Sequence, residues 1–182
     1  MSKQTYISIL RGINVSGKNK IPMQDLKALY AEKGFEEVST YIQSGNVIFK
    51  AGDKDEAGLS TIIKEAIEDH FKLKIPVIVI STDHIKKVID QNPFLKEKNI
   101  DKDKLHVTFL EKNPDSAKVE PLQNLDFSPD RFIIIDKTIY LYCPGGYGVT
   151  KLSNTFFENK LKVNATTRNW KTVNKLFEFG SQ

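Results

Sequence analysis

Hydrophobic and polar positions along this chain switch between a period of two and a helical period, and the switches mark out its elements. Tyr6 to Leu10 is a short run of β-forming residues and predicts a strand. The irregular stretch Arg11-Gly12-Ile13-Asn14-Val15-Ser16-Gly17-Lys18-Asn19-Lys20 follows. Pro22 predicts a helix start, because its fixed φ suits the first helical position and its missing N–H costs nothing there. Met23, Leu26, Leu29 and Tyr30 recur at helical spacing up to Gly34, a stop signal. Val38, Thr40 and Ile42 alternate, as do Val47 and Phe49. Gln43-Ser44-Gly45-Asn46 between them predicts a tight hairpin, with positive φ tolerated at Gly45 and Asn46. Leu59, Ile62, Ile63, Ala66 and Ile67 mark the clearest amphipathic helix, and Pro76 to Ile80 an apolar strand. Residues 5–81 therefore read β-α-β-β-α-β, the split βαβ or ferredoxin-like order.

The pattern then repeats. A helix at 83–91 is stopped by Asn92-Pro93, and the charged stretch from Lys96 to Lys104 reads as a linker. Leu105 to Leu110 predicts a strand and Asp115 to Gln123 a weak helix interrupted by Pro121. Phe132 to Ile135 and Ile139 to Tyr142 predict strands around an Asp136-Lys137 turn. Phe156, Phe157 and Leu161 mark a helix, Ala165 to Arg168 a strand, and Trp170, Val173, Leu176 and Phe177 a closing helix. The expected class is α+β, with two tandem ferredoxin-like (α/β-plait) domains at 1–81 and 104–182. A helix and linker at 82–103 join them, and a C-terminal helix ends the second. The halves share pattern but no residue-level similarity. In this topology the first and third connections, strand to helix, are expected at the same sheet edge.

Composition narrows the chemistry. The single Cys among 182 residues excludes an internal disulfide, and one Cys with three scattered His does not supply a zinc site. No metal and no cofactor is expected. No apolar run reaches the ~18–20 residues of a membrane helix, and the N-terminus lacks the marks of a secretory signal, so a cytoplasmic setting with no membrane partner is expected. The formal charge of +4 is unevenly spread. Residues 1–24 hold Lys3, Arg11, Lys18 and Lys20 and no acid. Residues 143–177 hold six basic residues against Glu158 alone, so the rest of the chain sums to −5. Each of these two basic stretches also carries a glycine-containing loop, with Gly12 and Gly17 in the first and Gly145, Gly146 and Gly148 in the second, which points to an anionic partner.

The first loop fits the spacing G-x-x-x-x-G-K at Gly12 to Lys18, but Asn19 stands where a P-loop needs Ser or Thr, and the helix starts too late. A looser anion site of loop amides with Arg11, Asn14, Lys18 and Lys20 is the better reading. The second loop, Pro144-Gly145-Gly146-Tyr147-Gly148-Val149-Thr150-Lys151, also joins strand to helix. Tyr147 and Lys151 are its candidate ligand residues, with Ser153 or Asn154 as helix cap. Arg168, before an Asn169 cap and a Trp170 core anchor, reads equally as an anion ligand or as an interface ion pair. Cys143 reads as a buried structural thiol. Tyr6, Tyr41, Tyr140 and Tyr142 lie on strands, where ferredoxin-like sheets stack bases, but no RNP motif is present and the two plaits are expected to bury these faces against each other.

Several runs together resemble a known family: Leu10 to Val15 with Gly17 to Lys20, Tyr41 to Val47, Asn92-Pro93-Phe94, His106 to Leu110, Cys143-Pro144 with Gly146-Tyr147-Gly148, Lys151-Leu152, and Thr166 to Trp170. The chain is similar to the bacterial family filed as domain of unknown function 1697, over about residues 5–178, with Ser16 in place of an expected glycine. The resemblance implies two tandem α/β-plait domains and no transferable catalytic residue. The leading functional expectation is binding of a phosphate-bearing ligand, nucleotide or nucleic acid, through the basic glycine-rich loops. The alternatives are a small-molecule enzyme using Arg11, Lys151 or Arg168 on an anionic substrate at an inter-domain cleft, and an interaction module with no ligand pocket.

Overall fold

The computed structural model describes residues 3–43, 45–52 and 54–182. Among the described residues the chain is α+β, with two four-stranded antiparallel sheets and six α-helices. The chain divides into two compact units, Met1–Lys86 with Lys175–Gln182, and Lys87–Asn174.

The first sheet has β1 (Gln4–Leu10), β2 (Glu36–Tyr41), β3 (Asn46–Ala51) and β4 (Val77–Ser81), in the order β2-β3-β1-β4. Helices α1 (Met23–Glu32) and α2 (Glu56–Phe71) cover one face. Alternation places Tyr6, Leu10, Val47, Phe49, Val77 and Val79 on that face, where they are buried with Leu26, Leu29, Leu59 and Ile63 of the helices. Ser8 is a polar residue on the same face, and its Oγ meets the Tyr30 hydroxyl at 2.6 Å, so the pair satisfies itself in the core. The opposite face is a run of buried isoleucines, Ile7, Ile9, Ile48, Ile78 and Ile80. The sequence pattern located these elements within a few residues. Pro22 proves to be the N-cap of α1 rather than its first residue, extended at ψ 132°, with its carbonyl accepting Leu26 N–H. The helix ends with Gly34 N–H on Ala31 O and Phe35 N–H on Tyr30 O, while the Phe35 ring packs on Tyr30.

The β2–β3 hairpin departs from expectation. Its four-residue turn is 42–45, of which Ser44 lies outside the described residues. Positive φ falls at Ile42 and Gly45, not at Asn46. Asn46 is instead buried in β3, where its amide donates to Tyr41 O and closes the turn.

After α3 (Thr82–Asp90), the second sheet has β5 (Leu105–Leu110), β6 (Arg131–Ile135), β7 (Thr138–Tyr142) and β8 (Ala165–Asn169), in the matching order β6-β7-β5-β8. Helices α4 (Ser116–Gln123) and α5 (Asn154–Leu161) accompany it, and α6 (Trp170–Gly180) closes the chain. Pro121 lies inside α4 without ending it. Asp115, Ser153 and Asn169 accept backbone N–H groups at the starts of α4, α5 and α6, so Ser153, not Asn154, caps α5. One expectation fails on geometry. In each unit the first and third strands are antiparallel neighbours, so the chain leaves them at opposite ends of the sheet. The glycine-rich loop after β7 therefore does not correspond in place to the one after β1.

Candidate functional site

The loop after β1 is tied at its start. Leu10 N–H donates to Gly45 O at 2.8 Å and Arg11 N–H to Pro76 O at 3.0 Å, linking the loop to the hairpin tip and to the entry of β4. Ile13 and Ile21 are buried and anchor it from below. Asn14 folds the segment between them. Its Nδ2 donates to Ile21 O (2.9 Å) and Gln43 O (3.1 Å), and its Oδ1 accepts Ile21 N–H (2.9 Å). Its φ of +55° is one that Asn tolerates better than most residues. With both amide hydrogens and its oxygen committed, Asn14 organises the loop. Asn14→Ala leaves three partners unpaired and is expected to cost about 2 kcal/mol. The check is a urea transition together with faster hydrogen exchange at the Ile21 amide; an unchanged Ile21 amide contradicts it.

Val15 and Lys18 form an antiparallel bridge across Ser16 and Gly17, whose φ values are +49° and +75°. Positive φ at both central residues is the type I′ signature, so Ser16 holds a conformation that a glycine adopts without strain. Gly17-Lys18 thus sits in a hairpin turn and does not open α1, as a P-loop requires.

Register fixes what shares this end of the sheet. Ile9 lies opposite Asn46, Leu10 opposite Val77, and Tyr41 opposite Asn46. The connections 11–22, 42–45 and 72–76 therefore all leave the first sheet at one end. They carry Arg11, Lys18, Lys20, Lys72 and Lys74 and no carboxylate. The four lysines are exposed and Arg11 is half-buried. Lys72 is placed by its left-handed cap at the end of α2, and Lys74 reaches Glu68 of that helix at 3.4 Å. Sequence reasoning missed Lys72 and Lys74 because they lie outside both basic segments. The signal that finds them is strand order, since β4 starts beside the end of β1.

The second loop is held differently. Gly146 N–H donates to Cys143 O, and Tyr147–Val149 forms a 3₁₀ turn. The Tyr147 ring stacks on His106 at 4.9 Å, and its hydroxyl donates to Thr167 Oγ1 at 3.0 Å. Thr167 Oγ1 donates to Asn154 Oδ1 and lies 2.6 Å from Thr108 Oγ1, so one hydroxyl ties β5, β8, α5 and the loop together. Lys151 is exposed and lines a cavity of about 310 Å³ with Asp126 and Asp130. The carboxylates there oppose an anion. Arg168 is half-buried and its Nη1 donates to Thr167 O at 2.9 Å; burial pushes its guanidinium down to about 10, which leaves it charged at neutral pH. Burial pushes the Cys143 thiol up to about 11, which makes it an inert core group.

His106 donates from Nδ1 to Lys104 O at 3.3 Å, and burial lowers its pKa below the usual 6.5. A native pKa below the unfolded one means that only the unfolded chain gains a proton as pH falls past 6.5. Stability is then expected to fall from pH 6.5 downward, and His106→Phe, which keeps the ring on Tyr147, to flatten that slope. Urea midpoints at several pH values check it; parallel curves contradict it.

The family described as "Protein of unknown function (DUF1697)" matches residues 3–140. The chain belongs to this family. A solved structure, that of conserved bacterial protein SP0830 from Streptococcus pneumoniae, is similar with a TM-score of 0.77 at 22% identity, covering 98% of this chain and 99% of that one. That likeness concerns the fold alone. No curated protein matches the chain. The DUF1697 match ends before the Cys143 to Lys151 and Thr166 to Trp170 runs.

In this DUF1697 chain the strand tyrosines are occupied. Tyr6 packs on Phe49 in the helix-covered core, and Tyr140 is buried with its hydroxyl on Val88 O. Tyr41 packs on Phe179 and Tyr142 lies under the Arg131 guanidinium. Among the described residues no helix is long and apolar enough to cross a membrane.

Proposed function

We propose that the chain binds a phosphate-bearing ligand, with a nucleic-acid backbone as the favoured form, at the basic loop end of its first unit. The observation that carries this reading is the convergence of Arg11, Lys18, Lys20, Lys72 and Lys74 on three connections that contain no carboxylate. Exposed lysines on several loops suit a succession of phosphates better than one enclosed nucleotide. Asn14 and the Ser16-Gly17 turn give the loop one conformation, which limits the ordering cost on binding. With the strand tyrosines packed, contact is to the backbone rather than to stacked bases, so binding tolerates sequence. We also read each unit as ferredoxin-like: the strand orders β2-β3-β1-β4 and β6-β7-β5-β8, with β-α-β-β-α-β succession, support it. Lys151 and Arg168 are less suited to the ligand, the first for its acidic neighbours and the second because burial depresses its guanidinium and its Nη1 is held on Thr167 O.

The test is fluorescence anisotropy with a labelled 20-mer oligonucleotide of mixed sequence and, separately, a labelled nucleoside triphosphate. The reading expects the oligonucleotide to bind with an affinity that falls steeply with salt, and the nucleotide to bind much more weakly. Tight nucleotide binding with none to the oligonucleotide moves the ligand to the small-molecule class. Binding of neither at low salt ends the proposal.

A further inference from the structure

The two sheets treat their hairpin-side edges in opposite ways. β2 is guarded: it begins Glu36-Glu37, pairs these with Lys3 and Lys50, and carries a bulge between Glu36 and Ser39 with Glu37 at φ +49°. Charge and bulges are the devices that stop another strand from adding to an edge. β6 occupies the equivalent position in the second sheet and reads Arg131-Phe132-Ile133-Ile134-Ile135. Its register with β7 is unbroken from Arg131 opposite Tyr142 to Ile135 opposite Thr138. Arg131 is its one charge, and Ile133 is 37% exposed. β7 takes up the backbone groups of alternate β6 residues, and the others point out from the open edge.

A groove of about 520 Å³ lies along that edge. Phe132 and Ile134 from one face of β6 and Arg131 and Ile133 from the other all line it, so it follows the strand rather than covering a face. Leu125 and Phe127, from the segment after α4, line it with Phe94 and Glu97, from the 3₁₀ turn Pro93–Lys96 and its cap. Glu97, Asp126 and Asp130 face it against one cation, Arg131. Arg131 is engaged: it donates to both Glu97 oxygens at 3.0 and 2.8 Å and lies about 5 Å from the Phe94 and Tyr142 ring centres. Asp126 accepts the Ser128 N–H and hydroxyl, and Asp130 accepts the Thr150 hydroxyl. The adjoining cavity adds Lys151 and leaves the carboxylates in excess.

We propose that the open edge of β6 accepts an extended peptide of alternating apolar and basic residues, supplied by another protein, as a fifth strand of the second sheet. Main-chain hydrogen bonds hold it, the aromatic groove takes its apolar side chains, and Asp126 and Asp130 select Lys or Arg over acidic residues. A second copy of the chain fits less well, because self-pairing brings two acidic grooves together.

The test uses the full chain and labelled hexapeptides, an alternating Lys/Val sequence and its Glu/Val counterpart, in fluorescence anisotropy. The Lys/Val peptide is expected to bind at least ten times tighter. Ile133→Lys changes an exposed position and places a gatekeeper charge on the edge; it is expected to weaken binding tenfold or more. The pair Asp126→Asn and Asp130→Asn, whose amide oxygens still accept the Ser128 and Thr150 bonds, is expected to erase the Lys/Glu preference in a chain that circular dichroism shows folded at the assay temperature. Equal binding of the two peptides, no binding at millimolar peptide, or full binding by Ile133→Lys overturns the proposal. A concentration-dependent dimer that Ile133→Lys abolishes also overturns it, by giving the edge to a second copy.

Discussion

Gly45→Ala is expected to lower the stability of the first unit by about 3 kcal/mol, the largest loss from a Gly→Ala change at any of the chain's glycines. Two costs add at this position. The residue sits at φ +81°, a region that disfavours a side chain by about 1–2 kcal/mol. A Cβ there falls 2.8 Å from both Ile13 Cδ1 and Leu10 Cβ. Ile13 has a flexible end, but Leu10 Cβ is fixed by a strand whose N–H is bonded to Gly45 O. Relief therefore requires the hairpin tip to move off the end of β1, and overpacking of this kind costs roughly 1–3 kcal/mol. Gly17 is the control. Its φ is +75°, yet a Cβ there meets nothing within 4 Å, so Gly17→Ala is expected to cost about 1 kcal/mol. Urea unfolding of the two variants side by side measures the difference. Equal midpoints contradict the close approach between the hairpin and the loop.

That approach also shows where reading the sequence ran out. The elements themselves were legible because each has a local cause: runs of β-forming residues in β1 and β5, helical spacing in α2, and the Asn169 cap before α6. The hairpin tip was placed one residue off. Asn46 has the chemistry of a turn residue, and only the pairing of Tyr41 with Asn46 reveals that it is the first strand residue, buried and bonded to Tyr41 O. The expectation about the two glycine-rich loops failed for a similar reason. Sequence shows a strand followed by a loop, but not the direction in which that strand runs. Once β1 and β3 are seen as antiparallel neighbours, the two connections part to opposite ends.

The candidate site was partly visible. Arg11, Lys18 and Lys20 stood out as a basic stretch without acids, and Asn14 was marked in the same loop. What Asn14 holds was not visible, because its bonds reach Ile21 and Gln43, which lie 7 and 29 residues away. Lys72 and Lys74 were invisible because their segment follows Glu68 and Asp69 in sequence, and charge averaged along the chain hides them. In the second half, Lys151 was a candidate ligand residue as Lys18 was in the first. Folding brings Asp126 and Asp130 to the same cavity, and only spatial proximity exposes that difference.

The double variant Lys18→Ala with Lys20→Ala has the largest expected effect on binding. Both side chains are exposed and neither shapes the loop, whose turn is held by backbone bonds between Val15 and Lys18 and between Asn14 and Asn19. Each phosphate contact contributes about 0.9 to the slope of log affinity against log salt for duplex DNA. Loss of two contacts is expected to shallow the slope by about 2 and to lower affinity on the order of 50-fold near 0.1 M salt. Lys151→Ala is expected to leave both quantities unchanged. The decisive measurement is therefore the salt dependence of duplex binding, from about 0.05 to 0.3 M salt, for the wild type, the Lys18/Lys20 double variant and Lys151→Ala. A slope reduced by about 2 in the double variant alone supports the basic end of the first unit as the phosphate site; a slope that stays the same there, or that falls only with Lys151→Ala, contradicts it.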